Sequence, residues 1–276
     1  LRGPVRRGPK GHSVTILWRC YVAKYRMGLA STDALIRALH DNPYLAQVCG
    51  ISEPAAIPHK STFSRFFAKL SKRVYLTQVK NVSRSLVRRS YEILPGFGQR
   101  VAMDSTTIQA WSNGGKTSKS DPDAGWSVKR STNGRMKAVY GYKVHLLVDC
   151  EYELPIAANI SAGNVHDAKR ASNLLSEARH AYSHFRPKFV IADKGYSGQP
   201  LADLIRDQYW AKPIIDINPA HKKLAHKTAH KRAKTEWKVI YNQRGAVERV
   251  NSRLKGQRAL DHVTVRHGNS NSVAAT

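Results

Sequence analysis

Cysteine, acidic side chains and long apolar runs are all scarce in this sequence of 276 residues. The three cysteines, Cys20, Cys49 and Cys150, are scattered and form no C-x-x-C pair, which excludes a disulfide framework and a thiolate zinc site. No run of about eighteen apolar residues occurs, and no charged-then-apolar signal segment begins the chain, so neither a membrane span nor a membrane partner is predicted. These absences fit a reducing, cytoplasmic compartment.

Positive charge is what the sequence has in excess. Its 46 Lys and Arg residues stand against 19 Asp and Glu, which gives a formal net charge of +27 and a pI near 10.3. This imbalance is larger than solubility requires and indicates a polyanionic partner. Because nothing in the sequence would insert into a membrane, nucleic acid is preferred to an acidic lipid surface. A purely structural basic protein is an alternative, and it predicts no dependence on divalent metal.

The first third of the chain has a helical pattern. Apolar residues recur at helical spacing from about Val14 to Arg89, and prolines separate the segments. We predict a basic tail or fragment boundary over residues 1–13 and a small helical domain over residues 14–95.

One segment of this domain has the features of a groove-binding helix. Ser61 or Thr62 is expected to cap a short helix over Ser61–Arg73. The aromatic residues of this helix would face inward and its basic residues outward, namely Phe63, Phe66 and Phe67 against Arg65, Lys69, Lys72 and Arg73. Such a helix could enter a major groove. The alternative is an amphipathic helix whose charges are simply solvated.

The pattern changes from helical to β after a linker at Pro95 and Gly96–Gly98. Strands are predicted at Arg100–Gln109, Tyr142–Asp149, Leu154–Ser161, Phe189–Ala192 and Ala211–Ile217. Helices are predicted at Asp167–Tyr182, Gly198–Asp207 and Val239–Arg258. Polar Ser112–Arg135 and basic His221–Lys234 are predicted to be loops. This order implies an α/β domain over residues 99–266 with a mixed sheet and flanking helices, followed at 267–276 by a polar tail that is either complete or truncated.

Two carboxylates stand next to apolar strands. Asp104 follows Val101–Met103 and Asp193 follows Val190–Ala192, so each is expected at a strand end. Burying such a charge is costly unless a cation or hydrogen bonds meet it, and two carboxylates at neighbouring strand ends make a hard oxygen site suited to Mg²⁺ or Mn²⁺. An ordinary turn or cap residue is the alternative for each aspartate taken alone.

A third carboxylate lies on the predicted C-terminal helix. At about 100° per residue a narrow stripe holds Tyr241, Arg244, Glu248 and Lys255. Apolar residues cluster on roughly the opposite side, at Ala246, Val247, Val250 and Leu254, so the helix can pack on the protein and aim Glu248 at a cleft. A surface helix on which Arg244 and Glu248 form an ordinary i,i+4 pair is the alternative.

The spacing Tyr-x2-Arg-x3-Glu-x6-Lys, formed here by Tyr241, Arg244, Glu248 and Lys255, resembles the signature around the last catalytic acid of DDE transposases of bacterial and archaeal insertion sequences. Asp104 in MDST and Asp193 in IADKGY resemble the first and second acids of that family, and GYKVH (141–145) and NVHD (164–167) resemble the segments between them. The resemblance implies a ribonuclease H-like fold. It also implies that the three acids hold two Mg²⁺ or Mn²⁺ ions for strand cleavage and strand transfer.

The resemblance further implies double-stranded DNA as the partner, at the element's terminal inverted repeats and at the target, with a homodimer on DNA and a nucleoid-associated location. The helical domain would serve DNA binding or dimerisation, through residues such as Arg65 and Lys69. Further DNA contacts are expected from Tyr241, Arg244 and Lys255, and from Lys222 and Lys223 in the basic loop. Trp237 could stack on a DNA base. Packing is the alternative for Trp237.

Other polar residues of the second domain have plainer interpretations. His145 and His166 could support the metal ligands, but packed, hydrogen-bonded histidines are the preferred interpretation. Turn and helix-cap positions account for four further aspartates, Asp121, Asp123, Asp149 and Asp167. Two functional alternatives stay open at this point: an inactive or domesticated transposase that only binds DNA, and a related ribonuclease H-like nuclease that cleaves without strand transfer.

Overall fold

The computed structural model describes residues 11–110, 112, 114, 121–130, 134–216, 235–258 and 260. The N-terminal part is helical, as predicted. Its helices are Val14–Arg26 (α1), Thr32–Asp41 (α2), Pro43–Cys49 (α3), Lys60–Leu70 (α4) and Arg73–Ile93 (α5). No described helix is both long enough and apolar enough to cross a membrane.

Short polar side chains begin the first helices. Ser13, Ser31 and Asn42 each accept a backbone N–H of the first turn and so satisfy donors that the helix itself cannot. The helices then bury one apolar face each around a common core, in which Leu35 and Phe63 are fully buried. This arrangement confirms the helical N-terminal region that the apolar spacing predicts.

The start of α4 differs from the prediction. The cap is His59, whose ring nitrogen accepts the backbone N–H of Ser61, and neither Ser61 nor Thr62 has that role. The aromatic face is nevertheless as predicted, since Phe63 and Phe66 are buried.

The end of α4 also lies earlier than predicted. Ser71 closes the helix by donating its hydroxyl to the carbonyl of Ala68, and the helix stops at Leu70. Lys72 and Arg73 therefore lie outside α4, as the cap position and the first residue of α5.

The C-terminal part alternates strands and helices. Its strands are Arg100–Gln109 (β1), Gly125–Arg130 (β2), Met136–Asp149 (β3), Pro155–Ala162 (β4), Phe189–Ala192 (β5) and Lys212–Ile215 (β6). Its helices are Ala168–Ala181 (α6), Gln199–Tyr209 (α7), Thr235–Asn242 (α8) and Gly245–Gly256 (α9). The predicted linker lies between α5 and β1.

The described strands form one mixed sheet in which β1 and β3 are central. β1 is antiparallel to β3 and parallel to β5, and β5 is parallel to β6. Gly141 on β3 is paired with Gln109 of β1 and with Gly125 of β2, so β2 lies on the opposite side of β3 from β1. β4 then pairs with the later residues of β3. A Cβ at Gly141 would lie 2.0 Å from the Ile108 carbonyl oxygen, so this close approach requires glycine.

Both faces of the sheet are covered. Met103, Leu147 and Val190 face a core shared with α6 and α7. Ala102, Leu146 and Ile191 face the opposite core, to which α9 contributes Val247 and Val250. Helix α5 joins the two parts of the chain, because its Val79 belongs to the helical core and its Val87 to the sheet core.

Two predictions about this part are wrong. The segment Ser112–Arg135 is not all loop, because it contains β2. This strand pairs with the first residues of β3, but Trp126 and Val128 stay exposed, so a search for a buried apolar pattern misses it.

The predicted long helix Val239–Arg258 is two helices. Between α8 and α9 the backbone bonds run from residue i to i−3, as from Arg244 to Tyr241 and from Val247 to Arg244. The tighter bonds interrupt the α-helix just before Gly245.

Candidate active site

Asp104 and Asp193 are neighbours in the sheet. Asp104 lies in the middle of β1, which corrects the expectation that it ends the strand, whereas Asp193 directly follows β5 as predicted. Met103 is paired with Ala192 in the parallel register, so the next residue of each strand is one of the two acids. Side chains alternate along a strand, and both acids therefore belong to the face that α9 covers.

Each of these carboxylates has a defined partner. Asp193 Oδ1 accepts the backbone N–H of Gly195 at 2.8 Å and begins a 3-10 turn over Lys194–Tyr196. Asp104 Oδ2 accepts a hydrogen bond at 3.1 Å from the side-chain amide of Asn251 on α9.

Negative charge accumulates around this pair. Burial raises the pKa of the Tyr196 phenol, and the carboxylates of Asp104, Asp167 and Asp193 raise it further. Tyr196 is 2% exposed, so its phenol is a buried, neutral group near the acids. Apart from its place in IADKGY, no sequence feature singles out this residue.

Glu248 lies on α9 but points to a different partner. Its carboxylate is paired with Arg244 Nη2 at 2.7 Å, and its side chain is 52% exposed. Within the part of the chain that the structure describes, no three His, Cys, Asp or Glu side chains are close enough together to hold a metal ion. The strand register thus brings Asp104 and Asp193 together, whereas Glu248 is in an ion pair with Arg244.

Arg244 lies between the acids and the aromatic residues of α8. Burial disfavours the charged form of its guanidinium. Four neighbouring acidic groups nevertheless raise the pKa of the guanidinium, namely Glu248, Tyr241, Asp104 and Asp193. Its guanidinium carbon is 5.7 Å from the centroid of the Tyr241 ring. Arg244 Nε is buried and has no hydrogen-bond partner among the described residues.

Trp237 and Tyr241 stack on each other. Their ring centroids are 4.6 Å apart with an interplanar angle of 13°, and burial raises the pKa of Tyr241. Trp237 also packs against the core under α9. This contact supports the packing interpretation of Trp237, and stacking on a DNA base stays a prediction.

The signature residues do not lie along one helix, which corrects the predicted continuous stripe. Tyr241 belongs to α8, Arg244 to the break, and Glu248 and Lys255 to α9. Lys255 Nζ donates to the carbonyl oxygen of Thr107 at 2.8 Å and so ties the end of α9 to β1.

The other predicted DNA contacts lie elsewhere. Arg65 is exposed on α4, with its Nε bound to the Ser61 carbonyl at 3.2 Å. The Lys69 ammonium lies 5.2 Å from the centroid of the Tyr75 ring. Lys222, Lys223 and the rest of the predicted basic loop His221–Lys234 fall outside the described residues.

The two histidines are packed and hydrogen-bonded, as preferred from the sequence. His145 Nε2 is 2.8 Å from Ser161 Oγ, and burial lowers the pKa of the ring to about 4, so the ring is neutral at pH 7. His166 Nδ1 accepts the backbone N–H of Ala168 at the start of α6.

Three of the four aspartates predicted at turn or helix-cap positions have local structural roles. Asp149 accepts the backbone N–H of Gly98 and of two residues in its own turn, which confirms its turn position. Asp121 accepts the backbone N–H of Ser112, and Asp123 accepts the hydroxyl of Tyr142.

Asp167 differs from its predicted role. It occupies the cap position of α6, but its side chain makes no capping bond. Instead its Oδ1 accepts from Lys143 Nζ at 3.0 Å, which explains why the GYKVH and NVHD segments are near each other.

Glu153 is a further residue that the sequence analysis missed. It lies in the turn between β3 and β4 with a φ of 53°, a backbone conformation that is rare outside glycine. Its carboxylate accepts from Arg249 Nε and from Arg253 Nη2, each at 2.5 Å. Glu153 therefore fastens α9 to the turn.

The sheet, with β3 antiparallel to β1, with β5 and β6 parallel to it, and with one acid in β1 and one directly after β5, has a ribonuclease H-like fold. The family model of the transposase DDE domain matches residues 95–276, and a second model, described as a transposase domain, matches residues 2–69. The chain belongs to the DDE transposases, enzymes that cut and join DNA strands in DNA transposition.

One solved structure supports the fold. A cryo-EM structure of the piggyBac transposase synaptic complex with hairpin DNA is 12% identical, with a TM-score of 0.50 over 98% of this chain and 67% of that one. Two Mos1 transposase structures are also similar. The paired-end complex with the left transposon end is 14% identical, with a TM-score of 0.25 over 84% of this chain and 79% of that one. The strand transfer complex is 13% identical, with a TM-score of 0.28 over 86% and 80%. A comparison with curated protein sequences found no significant match.

Proposed function

We propose that Asp104, Asp193 and Glu248 are the three acids with which this transposase cleaves DNA at the ends of an insertion sequence and transfers the freed strands to a target. The observation that carries the proposal is the parallel register of Met103 with Ala192, which makes the two aspartates neighbours on the face covered by α9. Glu248 lies on that helix, and the guanidinium of Arg244 interacts electrostatically with all three carboxylates.

Transposases of this family use divalent metal ions. The donor set fits such ions, because carboxylate oxygens are the ligands that Mg²⁺ and Mn²⁺ prefer. We propose that the three acids hold two ions, which when bound would stabilise charge on the attacking and leaving oxygens. To bind an ion, Glu248 would have to break its ion pair with Arg244.

Arg244 has a matching role in this proposal. Its Nε already lacks a partner among the described residues, and release of Glu248 would free Nη2 as well. A guanidinium with two free donors suits a phosphate oxygen pair. We therefore expect Arg244 to bind the DNA backbone beside the scissile bond, with Tyr241 packed against it and with Lys255 and Trp237 as further contacts.

The substrates proposed are double-stranded DNA at the terminal inverted repeats and at the target. Residues 14–95 would form a DNA-binding or dimerisation domain, with Arg65 and Lys69 as its contacts, and residues 99–266 the catalytic domain. Lys222 and Lys223 would bind the DNA backbone. Two ends must be joined, so we propose a homodimer on DNA.

The test is cleavage of a duplex that carries the element's own terminal sequence, in Mg²⁺ or Mn²⁺. Asp193→Asn and Glu248→Gln should each lower cleavage by more than about 1000-fold. Both should still retard the duplex in a gel. Glu236→Gln is the matched control, because it removes the same charge from an exposed position on the neighbouring helix α8.

Three results would contradict the proposal. Cleavage by Glu248→Gln within tenfold of the wild type would remove Glu248 from the site. Tight binding without cleavage by the wild type would indicate a transposase that only binds DNA. Nicking without any joined product would indicate a nuclease.

A further inference from the structure

Asn251 on α9 contacts the first aspartate, Asp104. It lies three residues after Glu248, is 7% exposed, and donates from Nδ2 to Asp104 Oδ2 at 3.1 Å. A carboxylate only accepts hydrogen bonds, so the amide nitrogen must be the atom that faces Asp104. This fixes the orientation of the amide, and its oxygen, Oδ1, is the polar atom that does not face Asp104.

The remaining atom has no partner. Asn251 Oδ1 is buried, and no hydrogen-bond donor among the described residues reaches it. A buried carbonyl oxygen without a donor or cation is unfavourable, and native proteins retain few of them. This oxygen belongs to the same amide that donates to Asp104, so it lies near the Asp104 carboxylate.

Amide oxygens and carboxylates are used together as ligands of hard divalent cations. Asn251 offers both functions: its nitrogen orients a carboxylate, and its oxygen is an unused hard donor next to that carboxylate. Glu248, in contrast, is half-exposed and bound to Arg244.

We propose that Asn251 is a fourth protein ligand of the divalent ion held by Asp104, through Oδ1, and that its Nδ2 holds the Asp104 carboxylate in the orientation for binding. This inference rests on the proposed function and goes beyond it, because the three acids alone leave the amide without a role. Asn251 is 147 positions from Asp104 in the chain, so their contact exists only in the fold.

Substitutions at position 251 separate a ligand from a purely structural amide. Asn251→Ala removes both the oxygen and the donor. Asn251→Asp keeps an oxygen of the same geometry but cannot donate to Asp104. Ser252→Ala, at the exposed neighbouring position on α9, is the matched control.

The measurement is Mn²⁺ binding to the full chain without DNA, by titration in an electron paramagnetic resonance spectrometer, with thermal unfolding in Mn²⁺ as a second readout. Asn251→Ala should weaken Mn²⁺ binding by about tenfold and reduce the Mn²⁺-dependent rise in Tm. Asn251→Asp should bind Mn²⁺ less than tenfold more weakly than the wild type, because a carboxylate oxygen replaces the amide oxygen while the hydrogen bond to Asp104 is lost. Ser252→Ala should match the wild type.

Asp193→Asn separates the failure of this inference from the failure of the proposed function. Loss of Mn²⁺ binding in Asp193→Asn together with wild-type affinity in Asn251→Ala would overturn the role of Asn251 alone. Unchanged binding in Asp193→Asn would overturn the metal site itself. If Asn251→Ala does not fold, Asn251→Asp decides, since a tenfold loss of Mn²⁺ affinity in that variant would show that the amide acts only as a hydrogen-bond donor.

Discussion

Replacing Glu153 by Gln should loosen the attachment of α9 to the turn between β3 and β4. The Glu153 side chain is 20% exposed, whereas Arg249 and Arg253 are 60% and 44% exposed, so solvent screens both ion pairs. Partly exposed pairs contribute up to about 1 kcal/mol each, and the loss of two should lower the free energy of unfolding by about 1–2 kcal/mol. For a chain of this size that corresponds to a fall in Tm of about 3–6 °C.

The pH dependence of this difference has a definite sign. The hydrogen bond from Arg249 is the main reason why the pKa of Glu153 is lowered in the folded protein. A carboxylate with a lowered folded pKa adds stability above its unfolded pKa of about 4.3 and loses it as the pH falls through the folded value. The difference in the free energy of unfolding between the wild type and Glu153→Gln should therefore be constant near neutral pH and should shrink below about pH 4.

The assay is thermal unfolding followed by circular dichroism at low and at high salt. Glu92→Gln is the control, because Glu92 pairs with Arg89 on the same helix and joins no separate elements. Its Tm should change by less than half as much. A Tm of Glu153→Gln within 1 °C of the wild type at low salt, or a shift that does not shrink at high salt, would refute the reasoning.

Two further substitutions test the sheet. Gly141→Ala should prevent β1 and β3 from pairing, because its Cβ would lie 2.0 Å from the Ile108 carbonyl, whereas Gly256→Ala, with nothing within 4 Å, should fold normally; soluble yields of the two variants check this. Burial lowers the pKa of His145 in the folded protein to about 4, below its unfolded value of about 6.5. The neutral ring therefore makes its whole contribution to stability above pH 6.5, and this contribution is lost as the pH falls from 6.5 to 4. His145→Gln should reduce that slope in denaturant titrations at several pH values, and parallel slopes for the two proteins would contradict the assignment.

The sequence predicts the strand that carries the first acid but misplaces the acid within it. The apolar run Val101–Met103 ends at Asp104 and so suggests a strand end, but β3 pairs with β1 from Val101 to Gln109, and Asp104 lies in the middle of the strand. β5 is short, continuous and apolar, and its end at Ala192 is predicted correctly. The change from apolar to polar residues therefore marks the end of β5 but not the end of β1.

The contacts of α9 were harder to predict for a related reason. Hydrophobic spacing continues smoothly from α8 to α9 and does not record the change to i−3 bonds before Gly245. Asn251 lies next to Val250 on the buried side of the helix, where a polar residue signals an unknown partner and does not identify it. That partner comes from β1, so only the assembled sheet could reveal it.

The parallel pairing of β1 with β5 has a consequence for how this enzyme can change. Neighbouring strands of any sheet lie about 4.8 Å apart, and this spacing is fixed by main-chain hydrogen bonds and not by side-chain identity. The separation of the two aspartates is therefore inherited from the backbone. Substitutions in the helical region or on the surface therefore leave the backbone separation of the two aspartates unchanged.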